Sequence, residues 1–268
     1  MNIIAYLASG LIGISLGLIG GGGSILTVPV LVYLFGISPI LSTSYSLFIV
    51  GSTSLVGAFN NYKEDMVDVK TAFLFGLSSI ATVFITRKFI IPAIPNELFT
   101  IGGFVVTQNI MTMLLFAILM VAAATAMIKS GAQKAEDQIV EVKDGSGKII
   151  KLLFYGVAIG IVTGILGAGG GFLLIPTLVI LMKLPMKKAV GTSLLIIAMN
   201  SLLGFTGDLG HFKMDWIFLM EITGIAVAGI FIGGMLAKRI DGSKLKKGFG
   251  YFVLVMGFYI IIKEVFLK

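Results

Sequence analysis

The sequence contains no cysteine, a single histidine and a single tryptophan, and only 12% of its 268 residues are charged. Without cysteine there can be no disulfide and no thiolate metal site. A soluble domain carries about 25% charged residues, so half that load argues against an ordinary cytoplasmic enzyme. No HExxH, no Walker A motif and no cluster of metal-ligating side chains occurs. Neither a cofactor nor a metal is therefore expected. A G-X-Y period and low-complexity tracts are also missing, which excludes collagen and a disordered chain. The net charge is +7, yet the basic residues stand in short connections between apolar runs. That pattern fits basic cytoplasmic loops of a membrane protein, not a nucleic-acid binder.

What the chain has is apolar length and glycine. Hydrophobic residues make up 57%, and there are 35 glycines. A membrane helix needs about 20 mostly apolar residues, and roughly seven to nine such spans fit. Apolar runs cover residues 2–19, 24–35, 39–59, 69–86, 99–128, 149–166, 172–182, 188–205, 215–237 and 249–266. The first has no Lys or Arg before it and is read as a membrane segment, not a signal peptide. The one long polar stretch, 129–148, is expected to be a cytoplasmic linker between two membrane repeats, 1–128 and 149–268.

Those two parts repeat. At an offset of 147, Gly20-Gly21-Gly22-Gly23-Ser24 lies over Gly167-Ala168-Gly169-Gly170-Gly171, and Pro29 lies over Pro176. From Ile12 to Gly57, about 18 of 46 positions are identical. Internal duplication is the build of many secondary transporters. Basic residues indicate the relative orientation, because cytoplasmic loops carry the Lys/Arg excess. If each glycine-containing segment crosses once, ten Lys/Arg fall on each side. If it folds as a hairpin with no net crossing, fifteen fall on one side. Only Arg87, Lys88, Lys213, Lys263 and Lys268 then lie opposite. The expected fold is thus an all-α polytopic membrane protein of two inverted repeats. Each has a glycine-broken hairpin, either re-entrant or two full spans, and three transmembrane helices. Both termini are expected outside.

The glycine blocks are the first candidates for chemistry. Gly20, Gly21, Gly22 and Gly23 precede a helix expected to start at Ser24. Gly167, Gly169, Gly170 and Gly171 precede one expected at Phe172. A helix N-terminus offers unpaired N–H donors and partial positive charge. Broken backbone at membrane depth is tolerated where it lines a cavity or is buried in protein. The neighbouring helices carry hydroxyls at Ser44, Ser46, Thr192 and Ser193, and an amide at Asn200. Gln108 and Asn109 are further lining candidates. Glu221, about 9 Å into its span at 1.5 Å per residue, is a candidate proton site. Asp208 and His211 fall in a short external connection, where a lone histidine is expected to be solvated. Ser9, Gly13 and Gly17, with their counterparts Gly156, Gly160 and Gly164, are expected to serve helix packing.

The glycine blocks, each ending in Pro-x-Leu or Pro-Val-Leu, together with Ala189-Val190-Gly191-Thr192-Ser193-Leu194, resemble the TauE/SafE sulfite exporter family, also called the 4-toluene sulfonate uptake permease family. The resemblance covers essentially the whole chain. It implies a bacterial or archaeal inner-membrane carrier of sulfite, sulfonates or related sulfur-containing anions. Its expected partners are that small anion and the lipid bilayer. The first half departs from the Ala-x-Gly-Thr-Ser pattern, reading Ser42-Thr43-Ser44-Tyr45-Ser46. A proton-coupled importer, an anion channel and a non-transporting scaffold remain as alternatives.

Overall fold

The fold is that of a computed structural model, which describes residues 3–101, 104–130, 146–237 and 242–266. Helix α1 (Ile3–Ile19) leads into seven residues wound as 3-10 turns (Gly20–Leu26) and the short α2 (Thr27–Tyr33). Then come α3 (Pro39–Lys63) and α4 (Val69–Ile85), which passes through a π turn (Thr86–Ile90) into α5 (Ile91–Ala93). Strands β1 (Glu97–Ile101) and β2 (Phe104–Thr107) pair antiparallel ahead of α6 (Gln108–Ser130). Five helices follow: α7 (Ser146–Leu166), α8 (Gly171–Met182), α9 (Met186–Asp208), α10 (Trp216–Ala237) and α11 (Gly242–Phe266).

Among the described residues, seven helical stretches are long and apolar enough to cross a bilayer. The all-α polytopic class is therefore as expected. The outside of the bundle is apolar: Leu7, Phe73, Leu77, Ile217, Phe252 and Phe258 are exposed. Inside it lie Ser24, Ser46, Thr53, Ser54, Asn200 and Ser201, all fully buried. Such a surface is costly in water but suits lipid.

The first stretch, Ile3–Tyr33, doubles back. The rings of Tyr6, in the second turn of α1, and Phe35, just past α2, meet edge to face at 5.6 Å. Gly23 returns against Ser15 and Leu16 of α1. With 17 residues, α1 is about 25 Å long, close to the ~30 Å apolar core of a bilayer. Two expectations need correction. An α-helix does not begin at Ser24, because Gly20–Leu26 stays in 3-10 turns and α2 starts at Thr27. Residues 99–101 and 104–107 are not helical either. They are rich in Thr, Val, Ile and Phe, which suit strands, and they form the β1–β2 hairpin. In the second half the helix starts at Gly171, capped by Gly170 at φ 68°. Most of the expected linker lies outside the described residues.

The helices pair in a reciprocal way. Gly13 of α1 presses on Ala226 of α10, and Gly17 on Ile230 and Gly233. Their counterparts at the 147-residue offset, Gly160 and Gly164, press on Ser79, Thr82 and Thr86 of the α4 segment. Each contact is the other shifted by that offset, with the halves exchanged. Lipid gives helices no hydrophobic reason to associate, so close backbone approach across small residues does it. Along α3 and α9, Gly51 meets Leu202 and Gly57 meets Leu194, so these two run antiparallel. The same holds for α6 and α11, where Gly257 meets Ala117 and Gly250 meets Met127.

The bundle has two ends. At one, Asp68 caps α4 by accepting from Thr71 N–H at 3.0 Å, and Asp68 N–H donates to Thr192 Oγ1 at 2.9 Å. At the other lie Asp208, His211 and an aromatic cluster of Tyr6, Phe35, Tyr45 and Phe218. These are called the Asp68 end and the Asp208 end below.

Candidate functional site

The two glycine blocks cross in direct contact. A Cβ on Gly21 would stand 2.6 Å from Gly171 Cα, and one on Gly171 would collide with the Gly21 carbonyl. At the counterpart pair, Ser24 Oγ donates to the carbonyl of Ala168. Gly20 and Gly167 hold matching left-handed conformations, φ 69° and 67°. Gly20 fits against Val190, and Gly167 against Thr43, its counterpart. Ser46 Oγ donates to Gly167 O at 2.8 Å. Glycine is thus required at most of these positions for close approach. Gly22 differs: its Cβ would meet nothing nearer than Ile19 Cγ2 at 3.1 Å.

Two buried hydroxyls without partners stand against the second block. Thr163 Oγ1 lies against Gly170, and Ser201 Oγ is 3.3 Å from the Cβ position of Gly169. Both hydroxyls are buried and unpartnered, as is Nδ2 of Asn200. Asn200 Oδ1 accepts from Ser79 Oγ at 2.9 Å. An unmade hydrogen bond in a buried group costs about 1–3 kcal/mol, so three together are an unusual concentration.

Other expected residues lie elsewhere. Thr192 serves the Asp68 end, and Ser193 Oγ donates to its own helix at Val190 O, 2.8 Å. Ser44 is buried beside Asp208, away from the glycine blocks. Gln108 Nε2 donates to Ile91 O at 3.1 Å, and Asn109 Oδ1 accepts from Ile40 N–H at 3.4 Å. Both amides line a cavity of about 360 Å³ at the Asp208 end, with Ser38, Ile91, Asn96 and His211. Glu221 is exposed and accepts from Tyr6 Oη–H at 3.0 Å.

The residues 5–260 match the profile of the family described as Sulfite exporter TauE/SafE. The chain belongs to that family. As a TauE/SafE protein it is a membrane transporter and not an enzyme. A probable membrane transporter protein of Xylella fastidiosa is 28% identical over 264 residues, which covers 97% of this chain and 94% of the relative. Probable membrane transporter protein YunE of Bacillus subtilis is 28% identical over 257 residues, 90% and 89% of the two chains. MJ0441 of Methanocaldococcus jannaschii, with the same description, is 25% identical over 270 residues, 94% and 92%. No solved structure matches.

This TauE/SafE chain also holds buried charge that sequence reasoning missed. Arg87 Nη1 pairs with Asp208 Oδ2 at 3.2 Å, and both side chains are buried. Glu264 is buried too, and accepts from Tyr33 Oη–H at 3.0 Å. Nζ of the adjacent Lys263 lies 4.3 Å from the centre of the Tyr33 ring, a cation–π distance. Glu221 is therefore not the sole acid set into a span. Asp208, expected in an external connection, is instead the buried last residue of α9, and Arg87 just past the apolar run 69–86 is buried with it. Only tertiary packing of α4 on α9 buries them. The stretch Gly13-Ile14-Ser15-Leu16-Gly17 does have hydrolase-elbow spacing. It lies within α1, not at a strand–helix turn, and Ser15 Oγ donates to Ile12 O at 2.8 Å.

Proposed function

We propose that the protein exports sulfite or a related sulfur-containing or organosulfonate anion by alternating access around the glycine crossing. One observation carries this reading. The unpaired hydroxyls of Thr163 and Ser201 stand against the second of two breaks that touch each other, and the unpaired Asn200 amide is next to Ser201 in the chain. Neutral donors suit a carrier, which must release its anion as well as bind it. The site comprises Gly20–Gly23 with Ser24, Gly167 and Gly169–Gly171, and Ser46. Gly22 is the place where a ligand approaches backbone, since a Cβ there would meet one flexible side chain, Ile19 at 3.1 Å, and no backbone. Ser44, Thr192 and Ser193 flank this route, and Gln108 and Asn109 line its mouth.

The two halves are inverted repeats, in keeping with the antiparallel α3 and α9. Such a relation lets one half rock against the other. The fifteen-to-five Lys/Arg bias puts the Asp208 end outside, with both termini there. The membrane is the plasma membrane of a bacterium or archaeon.

Export follows from voltage. One elementary charge moved through 100 mV is worth about 2.3 kcal/mol, so a divalent anion leaves with roughly 4.6 kcal/mol, more than a thousandfold gradient. No coupling ion is needed, and Glu221, tied to Tyr6, is structural. Sulfite efflux from proteoliposomes under a potassium-diffusion potential of either sign tests this. Efflux should quicken with a negative interior and survive Glu221→Gln. Flux that ignores voltage, follows a pH gradient and dies in Glu221→Gln would establish proton coupling instead.

A further inference from the structure

Arg87 is a buried cation with most of its donors unused. Nη1 serves Asp208, whereas Nε and Nη2 have no partner although the side chain is fully buried. A buried ion pair kept for structure alone is normally closed by further hydrogen bonds on the guanidinium. Beside the same carboxylate stands the buried hydroxyl of Ser44. The pair lies just beneath the cavity at its end of the bundle. Ile91, one turn beyond Arg87, lines that cavity. So does His211, whose N–H donates to Asp208 O at 3.1 Å. In the other direction, Ser201 beside Gly169 is seven residues back along α9, about 10 Å by helix rise. The pair therefore stands between the cavity and the glycine crossing.

We propose that Arg87 is an anion-binding station on the transport route, and that Asp208 occupies it as an internal stand-in when no substrate is bound. An oxyanion of sulfur takes Nε and Nη2 as a planar fork, the geometry in which guanidinium binds such groups best. The Asp208 carboxylate then loses its hold on Nη1, and Ser44 offers a second donor. This rests on the transport reading above. It adds a charged specificity residue to a site otherwise built from neutral donors.

The test is a thermal-shift titration of detergent-purified protein with sodium sulfite, using sodium gluconate as the ionic-strength control. Three forms are compared: wild type, Asp208→Asn, and the double variant Arg87→Gln with Asp208→Asn, which keeps a neutral pair of similar shape. Removing the internal competitor should make sulfite bind at least tenfold tighter in Asp208→Asn than in wild type. The double variant should lose most of the sulfite-dependent shift. Equal affinity in Asp208→Asn and wild type would overturn the station, as would a double variant that binds like wild type. Should Asp208→Asn fold poorly, Arg87→Lys decides: it keeps the charge but not the fork, and must weaken sulfite binding. No sulfite shift in any form also overturns the station. Wild-type sulfite flux into proteoliposomes then judges the transport reading separately.

Discussion

Gly21 and Gly171 meet backbone to backbone, so closely that a side chain on either would strike the other. Overpacking a tight contact costs about 1–3 kcal/mol. Gly21→Ala and Gly171→Ala should each lower the melting temperature in detergent by that equivalent. Either variant melting like wild type would mean the two breaks are not in contact.

The reciprocal packing of α1 on α10 and α4 on α7 makes a paired prediction. Gly13→Val and Gly160→Val insert a side chain into counterpart contacts, Gly13 against Ala226 and Gly160 against Ser79. Both should destabilise, by similar amounts of about 1–3 kcal/mol or more. Denaturation in mixed micelles measures each, and a large loss in one with none in the other would break the relation.

Much of this was legible in the sequence, because membrane constraints are strong and local. Apolar length marks the spans, and the duplicated glycines mark the places where backbones meet. The helix start at Ser24 was misread because a run of glycine allows 3-10 winding, which periodicity does not reveal. The β1–β2 hairpin was hidden because Phe99 to Thr107 is as apolar as a membrane helix. Arg87 and Asp208 escaped because their burial depends on α4 meeting α9, residues 121 apart in the chain. The hydroxyls divide for the same reason: Ser46 reaches the glycine crossing, whereas its counterpart Ser193 bonds its own helix.

The buried pair should be far more costly to break than to replace. Removing one partner strands the other charge, at about 3–5 kcal/mol. Arg87→Met alone should destabilise by that amount, and Arg87→Met with Asp208→Leu should recover most of it. Unfolding of the three forms in detergent checks this, and a double variant no better than the single would contradict it.

Asp68 gives a pH dependence. The Thr71 N–H holds its carboxyl below the ordinary aspartate value, an effect only partly offset by burial. A carboxyl depressed on folding stabilises fully above its unfolded value of about 3.9. That contribution fades as the pH falls through the lower folded value. Asp68→Asn, which still caps a helix, should flatten the acid limb of a stability profile between about pH 5 and pH 2. An unchanged acid limb would show that the cap carries no charge effect.

The most direct measurement is sulfite flux in proteoliposomes for wild type and Gly22→Val. A Cβ at Gly22 meets only the Ile19 side chain, at 3.1 Å, and no backbone, so a small shift of Ile19 should let the variant insert and fold at some cost in melting temperature. Its branched side chain would cover the backbone at which the anion is read. The account predicts that flux falls at least tenfold in folded Gly22→Val. Wild-type flux in that variant would contradict a glycine-crossing site.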